Sequence, residues 1–194
     1  MTKTSANQRL IVAISGASGA IYGIRALQML RAAGVESHLV VSKAAALSLS
    51  AETEMSLNDV QAMADVVHKP GDVGAAIASG SFRTLGMLVA PCSIKSLSEI
   101  ATGVTSSLLS RAADVCLKER RRLVLMMRES PLHLGHIRSM AAVTEMGAIV
   151  APPVPAFYTK PQSLDDMVSQ SVARALDLFD IDAPMTRWGE DIEL

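Results

Sequence analysis

Five short aliphatic runs recur along this chain, and a stretch with helical spacing follows each of them. The runs are continuous rather than alternating with polar residues, which is typical of parallel strands buried on both faces. Strands that alternate with helices favour a parallel sheet covered by helices on both sides. We therefore predict an α/β protein, a Rossmann-like or flavodoxin-like three-layer domain, with strands at residues 10–14, 37–41, 86–90, 123–127 and 148–151.

The segments between these runs have helical spacing, and several are bounded by glycine or proline. No repeat, low-complexity tract or linker divides the chain, and 194 residues are enough to bury a sizeable core. We predict one α/β domain over residues 1–194, with flexible tails at 1–8 and 189–194. The predicted helices are 20–33, 42–49, 57–67, 94–101, 108–121, 134–146 and 165–179.

Composition excludes several classes of function. The net charge is −1, so no global field favours nucleic acid or an anionic membrane. No apolar run approaches the roughly 20 residues that span a bilayer. Cys92 and Cys116 have neither a disulfide framework nor the spacing of metal ligands, which suits buried thiols in a reducing cytoplasm. We expect a cytoplasmic protein without a metal ion.

The first candidate site is the turn SGASGAIYG at residues 15–23, after the first predicted strand. Its small residues let a phosphate approach the backbone, and the next helix would offer free N–H groups at its N-terminus. The glycines do not match G-x-G-x-x-G, and no acidic residue follows the second strand. This pattern favours a mononucleotide over a dinucleotide, although a tight turn without a ligand stays possible.

Two further strand ends carry polar residues. Ser93, in the turn PCSIKS at 91–96, is placed either to cap the next helix or to bind a ligand. Arg128 and Glu129 follow the run at 123–127, where open α/β sheets bind ligands. Lys118 lies on the preceding helix, whereas the arginines 120–122 are expected to be solvated.

Nine motifs then occur in an order that resembles the UbiX-type flavin prenyltransferases, which share the fold of the homo-oligomeric flavin-containing cysteine decarboxylases. The resemblance runs from about residue 10 to residue 188. It implies that the chain joins the dimethylallyl group of dimethylallyl monophosphate to reduced FMN at N5 and C6. The product, prenyl-FMN, would serve a UbiD-type decarboxylase. The motifs are SGASGAIYG, VVSKAA, AETE, ASGSF, PCSIKSLS, RAADVCLKERRRLVL, RESPLHLGH, PPVPAFY and RW.

The same resemblance implies roles for individual residues. Contacts with FMN would come from Gly16, Ala17, Ser18, Ser42, Ser93, Ile94, Lys95, Ser96 and Arg128. The donor phosphate would be held by Arg111, Lys118, Tyr158 and Arg174. Catalytic roles would fall to Ser18, Glu52, Lys118, Glu129 and Trp188. Fixed cations would stabilise the leaving phosphate without a metal, in keeping with the absence of an Asp-rich magnesium motif.

One departure concerns aromatic residues. Some relatives carry a tryptophan before the ASGS segment, but residues 69–77 contain no aromatic side chain here. Tyr22, Phe82 or the flavin would have to supply a second π-face for an allylic cation. The resemblance also implies a trimer-based homo-oligomer, expected to be a dodecamer, with FMN at the subunit interfaces.

Other functions stay open at this point. A flavin-dependent cysteine decarboxylase would need an asparagine in the turn at 91–96, and none is present. A short-chain dehydrogenase would need Tyr-x-x-x-Lys, whereas Gln162 follows Tyr158 at that spacing. An FMN-binding carrier or a subunit of an aromatic-acid decarboxylase system is the non-enzymatic alternative. The downstream pathway, ubiquinone biosynthesis or aromatic-acid decarboxylation, and the choice between monophosphate and diphosphate donors are likewise open.

Overall fold

The computed structural model describes residues 8–192, so residues 1–7 and 193–194 of the two predicted tails lie outside the described residues. Six parallel strands form one sheet in the order β3-β2-β1-β4-β5-β6. The strands are β1 (Arg9–Ile14), β2 (Glu36–Val41), β3 (Val66–His68), β4 (Gly86–Cys92), β5 (Arg122–Met127) and β6 (Ile149–Val150). This arrangement confirms the predicted parallel α/β fold.

Helices cover both faces of the sheet. Alternate residues of β1 point to opposite sides: Leu10 and Val12 lie in one core cluster, and Ile11 and Ala13 lie in the other. The first cluster is closed by α1 and α7, and the second by α4 and α5, which gives three layers. The helices are α1 (Ala20–Ala32), α2 (Lys43–Glu52), α3 (Leu57–Gln61), α4 (Ile94–Thr102), α5 (Leu108–Lys118), α6 (Leu134–Glu145) and α7 (Leu164–Asp177).

The edge strand β3 was not predicted, and the helix predicted at 57–67 is wrong beyond Gln61. A capping box between Ser56 and Asp59 starts α3, but the helix lasts only five residues. The carboxylate of Asp65 then accepts hydrogen bonds from the N–H (2.7 Å) and hydroxyl (2.8 Å) of Ser37. This contact with β2 directs the next residues into the sheet, and it spans a separation that local spacing cannot reveal.

Of the three arginines predicted to be solvated, Arg121 is half-buried and structural, whereas Arg122 is exposed as predicted but also makes hydrogen bonds. Arg121 donates to the carbonyls of Phe82 (2.6 Å) and Gly80 (2.5 Å). Arg122 donates to the Leu178 carbonyl and to Asp180. Of these three arginines, Arg120 alone makes no side-chain hydrogen bond to the residues that the structure describes, and it is exposed. Loops far along the chain supply these carbonyls, so the charge run by itself could not indicate the bonds.

The position of β1 determines where a ligand can bind. The chain builds outward from β1 through β2 to β3, and then returns to the other side of β1 through β4, β5 and β6. The turns after β1 and β4 therefore diverge and leave a crevice at the carboxyl edge, as in other open α/β sheets. Within residues 8–192, no helix is long and apolar enough to cross a membrane.

Candidate active site

Ser15 joins the two turns that border this crevice. Its hydroxyl donates to the carbonyl of Pro91 (2.8 Å) and accepts the N–H of Ser93 (2.7 Å). The Ser15 N–H also donates to the Pro91 carbonyl, at 3.2 Å. Ser15 belongs to the motif SGASGAIYG, but only the folded structure shows that its hydrogen bonds connect the end of β1 to the end of β4.

A serine caps each of two helices, α2 and α4, that begin at this edge. The Ser42 hydroxyl accepts the Ala45 N–H at 3.1 Å at the start of α2. The Ser93 hydroxyl accepts the Ser96 N–H at 3.3 Å at the start of α4. Ser93 is thus an N-cap, which is one of the two roles predicted for it. Helix N-termini carry partial positive charge and attract anions.

A cleft of about 450 Å³ opens between these helix starts. Close approach of the first turn to α2 requires Gly16, since a Cβ atom there would lie 2.3 Å from the Cβ of Ala44. The cleft brings together five of the residues expected to contact FMN, with Ile94 adjacent at the first position of α4. These five are Gly16, Ser42, Ser93, Lys95 and Ser96.

The N-terminus of α1 is not free, contrary to what the sequence predicted. The carboxylate of Glu52, at the end of α2, accepts the N–H groups of Gly19 (2.8 Å) and Ala20 (3.1 Å). An internal carboxylate thus occupies the position expected for a ligand phosphate, and an anion in the cleft would meet α2 and α4 instead. The fold of α2 back over the first turn brings Glu52 there, and no short-range pattern encodes that contact.

These hydrogen bonds keep Glu52 ionised. Partial burial raises the pKa of Glu52, but hydrogen bonds to the carboxylate outweigh that effect. The donors are the Gly19 amide, the Ser18 hydroxyl and the Ala20 amide, and the Arg128 charge acts in the same direction. The pKa therefore lies below its ordinary value, and the structure brings Ser18, Glu52 and Arg128 into one neighbourhood.

Arg128 follows β5 at the carboxyl edge, and its N–H donates to the Cys92 carbonyl at 3.1 Å. Its charge also reaches Tyr22, whose pKa is raised by burial and lowered in part by Arg128. Tyr22 therefore lies on the site side of α1. The neighbouring Glu129 is exposed, and its carboxylate accepts the N–H of Ser130 at 3.0 Å.

A second cleft, of about 250 Å³, brings together three residues predicted to act on the donor. The rings of Tyr158 and Trp188 meet edge to face, with centroids 5.2 Å apart. Arg174 lines the same cleft and pairs with Asp177 at 3.1 Å. Arg187 also lines it and pairs with the other oxygen of Asp177 at 2.6 Å. The sequence analysis missed Asp177, which neither follows a strand nor belongs to a motif, and it gave no role to Arg187, although Arg187 belongs to the RW motif.

Within one chain, Lys118 lines neither of these two clefts. It ends α5 immediately before β5 begins, so it lies at the amino edge of the sheet, where its ammonium pairs with Glu119 at 2.5 Å. Arg111, on the same helix, pairs with Asp114 at 2.7 Å and donates to the Ala78 carbonyl. Six residues of β5 separate this edge from Arg128, a span of about 20 Å at the usual rise of a strand.

No group of three or more His, Cys, Asp or Glu side chains among residues 8–192 is arranged to hold a metal ion. Cys92 and Cys116 are both buried free thiols, as predicted. Burial raises the pKa of each thiol to about 12.

Comparison with known proteins agrees with this geometry. The family described as Flavoprotein matches residues 1–176. Flavin prenyltransferase UbiX of Escherichia coli strain K12 is 60% identical over 185 residues, covering 93% of this chain and 98% of the relative. The crystal structure of AnUbiX (PadA1) in complex with FMN and dimethylallyl pyrophosphate has a TM-score of 0.93 at 50% identity, covering 95% of this chain and 98% of that one.

A second crystal structure describes a dodecameric FMN-dependent UbiX-like decarboxylase from Escherichia coli O157:H7. Its TM-score is 0.91 at 49% identity, and the match covers 93% of this chain and 99% of that one. Both the sequence identity and the coverage are far above what a shared fold alone requires. The chain therefore belongs to the UbiX-type flavin prenyltransferases, within the Flavoprotein family.

Proposed function

We propose that this enzyme transfers the dimethylallyl group of dimethylallyl monophosphate to reduced FMN, forming bonds at N5 and C6. The allylic C–O bond breaks, the phosphate leaves with the electron pair, and N5 bonds the freed carbon and loses its proton. The double bond of the five-carbon group then takes up a proton, and C6 bonds the resulting tertiary carbon and loses its own proton. The prenylated flavin then passes to a UbiD-type decarboxylase. The observation that carries the proposal is the coexistence of a helix-lined cleft with a separate arginine–aromatic cleft in a chain of this family.

The first cleft fits FMN. Its volume of about 450 Å³ lies within the usual range for small-ligand pockets. The starts of α2 and α4 favour a phosphate at one end, and Gly16 permits close approach to the backbone. Lys95 also lines this cleft, where it is paired with Glu99. When bound, reduced flavin supplies the nucleophilic positions that accept the five-carbon group.

Donor binding is assigned to the second cleft. The guanidinium of Arg174 and the hydroxyl of Tyr158 are the groups suited to hold a phosphate, and Trp188 offers a π-face for an allylic cation. Fixed cations beside a departing dianion stabilise it electrostatically, with no reorganisation at the moment of reaction. Arg128 contributes a further cation near Glu52.

Proton transfer is assigned to the carboxylates near the first turn. Glu52 is held ionised by the start of α1 and by Ser18, which keeps a proton acceptor at a defined position. Glu129 is exposed at the end of β5 and is free of ion pairs among residues 8–192. It is therefore placed to exchange protons with a substrate that arrives at this edge.

The separation of Lys118 from Arg128 supports a homo-oligomer in which neighbouring subunits complete each site. A dodecamer with FMN at subunit interfaces meets this requirement, because the amino edge of one subunit can face the carboxyl edge of another. Large apolar side chains lie exposed on the segment that leads into α7 and at its start, including Phe157 at 71% and Leu164 at 80%. Such exposure in a single chain is typical of surfaces that pair with a partner.

The decisive experiment is anaerobic incubation of the purified protein with FMN, a reductant and dimethylallyl monophosphate, without added metal. The flavin is then released and weighed by mass spectrometry. We expect a mass increase of one C5H8 unit, whereas unmodified but reducible FMN would favour a carrier or a decarboxylase subunit. Arg174→Ala should lose this alkylation and retain most FMN binding. A variant that alkylates at the normal rate would contradict the assignment of Arg174.

A further inference from the structure

The donor cleft contains a second arginine to which no role has been given. Arg187 lies in the segment after α7 and lines the same cleft as Tyr158, Arg174 and Trp188. Its side chain is 35% exposed, compared with 58% for Arg174, so it is the more enclosed of the two guanidinium groups. Its enclosure distinguishes it from a freely solvated surface charge.

Asp177 joins the two arginines. One carboxylate oxygen, Oδ2, accepts from Arg174 at 3.1 Å, and the other, Oδ1, accepts from Arg187 at 2.6 Å. Both guanidinium groups are thereby held on one side of the cleft, separated by a single carboxylate. The Arg187 backbone is also fixed, since its N–H donates to Asp191 at 2.6 Å.

Charge decides what such an arrangement can bind. A carboxylate shared between two arginines leaves one positive charge uncompensated, whereas Asp177 with Arg174 alone would be neutral. A phosphate monoester carries between one and a half and two negative charges, roughly, at neutral pH. Three other carboxylates lie near Arg187: Glu190 at 4.0 Å, Asp191 and Asp182. All three side chains are exposed, that of Glu190 to 73%, so that solvent screens their charges.

We infer that Arg187 is a second phosphate-binding guanidinium of the donor cleft, acting beside Arg174 on the phosphate of the prenyl donor. The inference rests on the proposed function, and it adds a substrate-binding residue to it. Arginine presents its donors in a planar fork that matches phosphate oxygens, so two arginines can contact different oxygens of one phosphate. Tyr158 and Trp188 then bound the apolar end of the donor.

The test uses protein loaded with oxidised FMN, so that the flavin's own phosphate site is filled. Inorganic phosphate is titrated into the wild type and the variants by calorimetry, and prenylation rates are measured separately with dimethylallyl monophosphate. We expect Arg187→Ala to weaken phosphate binding and to lower kcat/KM for the donor by about tenfold to a hundredfold, the usual range for a lost charge-assisted hydrogen bond. Arg187→Lys should recover part of this loss, because it restores the charge without the fork.

Arg83→Ala serves as the control, since Arg83 is exposed and lines none of the clefts described above. The affinity for FMN should be the same in all variants. If Arg187→Ala stays within twofold of wild type in both assays while Arg174→Ala is impaired, the inference about Arg187 fails and the donor cleft stands. If neither arginine matters, the donor cleft itself is misassigned. If the wild type forms no prenylated flavin, the proposed function fails, and phosphate binding still decides the role of Arg187.

Discussion

The carboxylate of Glu52 accepts the backbone N–H of Gly19 at 2.8 Å, across 33 residues of sequence. This bond places a fixed negative charge at the start of α1, beside the turn that borders the flavin cleft. It also explains why an anionic ligand would use the other two helix N-termini at this edge. The first two predictions concern this relationship.

Gly19→Ala should destabilise the protein by about 1–3 kcal/mol, the usual range for a strained backbone position. Gly19 has φ +105°, and a Cβ atom there would lie 2.8 Å from the ring of Tyr22. Gly34→Ala is the matched control, since Gly34 also has positive φ (+68°) but nothing lies within 4 Å of its Cβ position. Urea denaturation measures both free energies of unfolding, and equal losses would show that the Tyr22 contact is unimportant.

Glu52→Gln should reduce stability at neutral pH, and the difference from wild type should shrink in acid. The folded-state pKa of Glu52 is lowered from its ordinary value of 4.5. The contribution of a carboxylate with a lowered pKa is fully present above the unfolded value and is lost as pH falls through the folded value. Unfolding measured from pH 7 to pH 3 should therefore show the two curves converging below about pH 4.5. Glu54→Gln, a change at an exposed neighbour, should produce no such convergence.

Arg121→Ala should destabilise the fold by about 1–3 kcal/mol, because two loop carbonyls would lose a charged donor. Arg121 bonds the carbonyls of Phe82 and Gly80 and so holds the ASGSF segment against the end of α5. Arg120→Ala is the control, since that side chain is exposed. Chemical denaturation of the two variants measures the difference. Equal stabilities would mean that water replaces Arg121 without cost.

Lys118→Ala and Arg128→Ala should each abolish most prenyl transfer. Oligomers that contain both variant chains should recover part of the activity. Lys118 precedes β5 and Arg128 follows it, so the two lie at opposite edges of one subunit. A mixed oligomer contains some sites with an intact Arg128 from one chain and an intact Lys118 from its neighbour. Mass spectrometry of the flavin from co-expressed, differently tagged variants measures the recovery. Mixed oligomers as inactive as the parents would contradict a site shared between subunits in this way.

Cys92 and Cys116 should resist thiol reagents in the folded protein. Burial raises the pKa of each thiol to about 12, so little thiolate exists at pH 8. Labelling with an aromatic disulfide should proceed no faster than unfolding, and denaturant should release both thiols. Rapid labelling of either cysteine in the native state would show that its surroundings open locally. Reaction with the urea-unfolded protein provides the reference rate.

The sequence by itself determined the layer architecture, because continuous aliphatic strands and amphipathic helices leave few ways to bury their apolar faces. It also located the strand-end residues Gly16, Ser42, Ser93 and Arg128, since parallel strands end at one edge. The reaction class came from the family resemblance that the ordered motifs carry.

Tertiary structure alone decided the contacts between distant segments. The bond from Gly19 to Glu52, the tie from Ser15 to Pro91 and the shared carboxylate of Asp177 join residues on separate elements. The edge strand β3 likewise depends on Asp65 meeting Ser37. Local patterns record which face of an element is apolar, but hydrogen bonds and ion pairs depend on where the packed elements bring their ends. For that reason, only the folded chain shows that Lys118 lies far from the donor cleft, where the resemblance had implied a role for it.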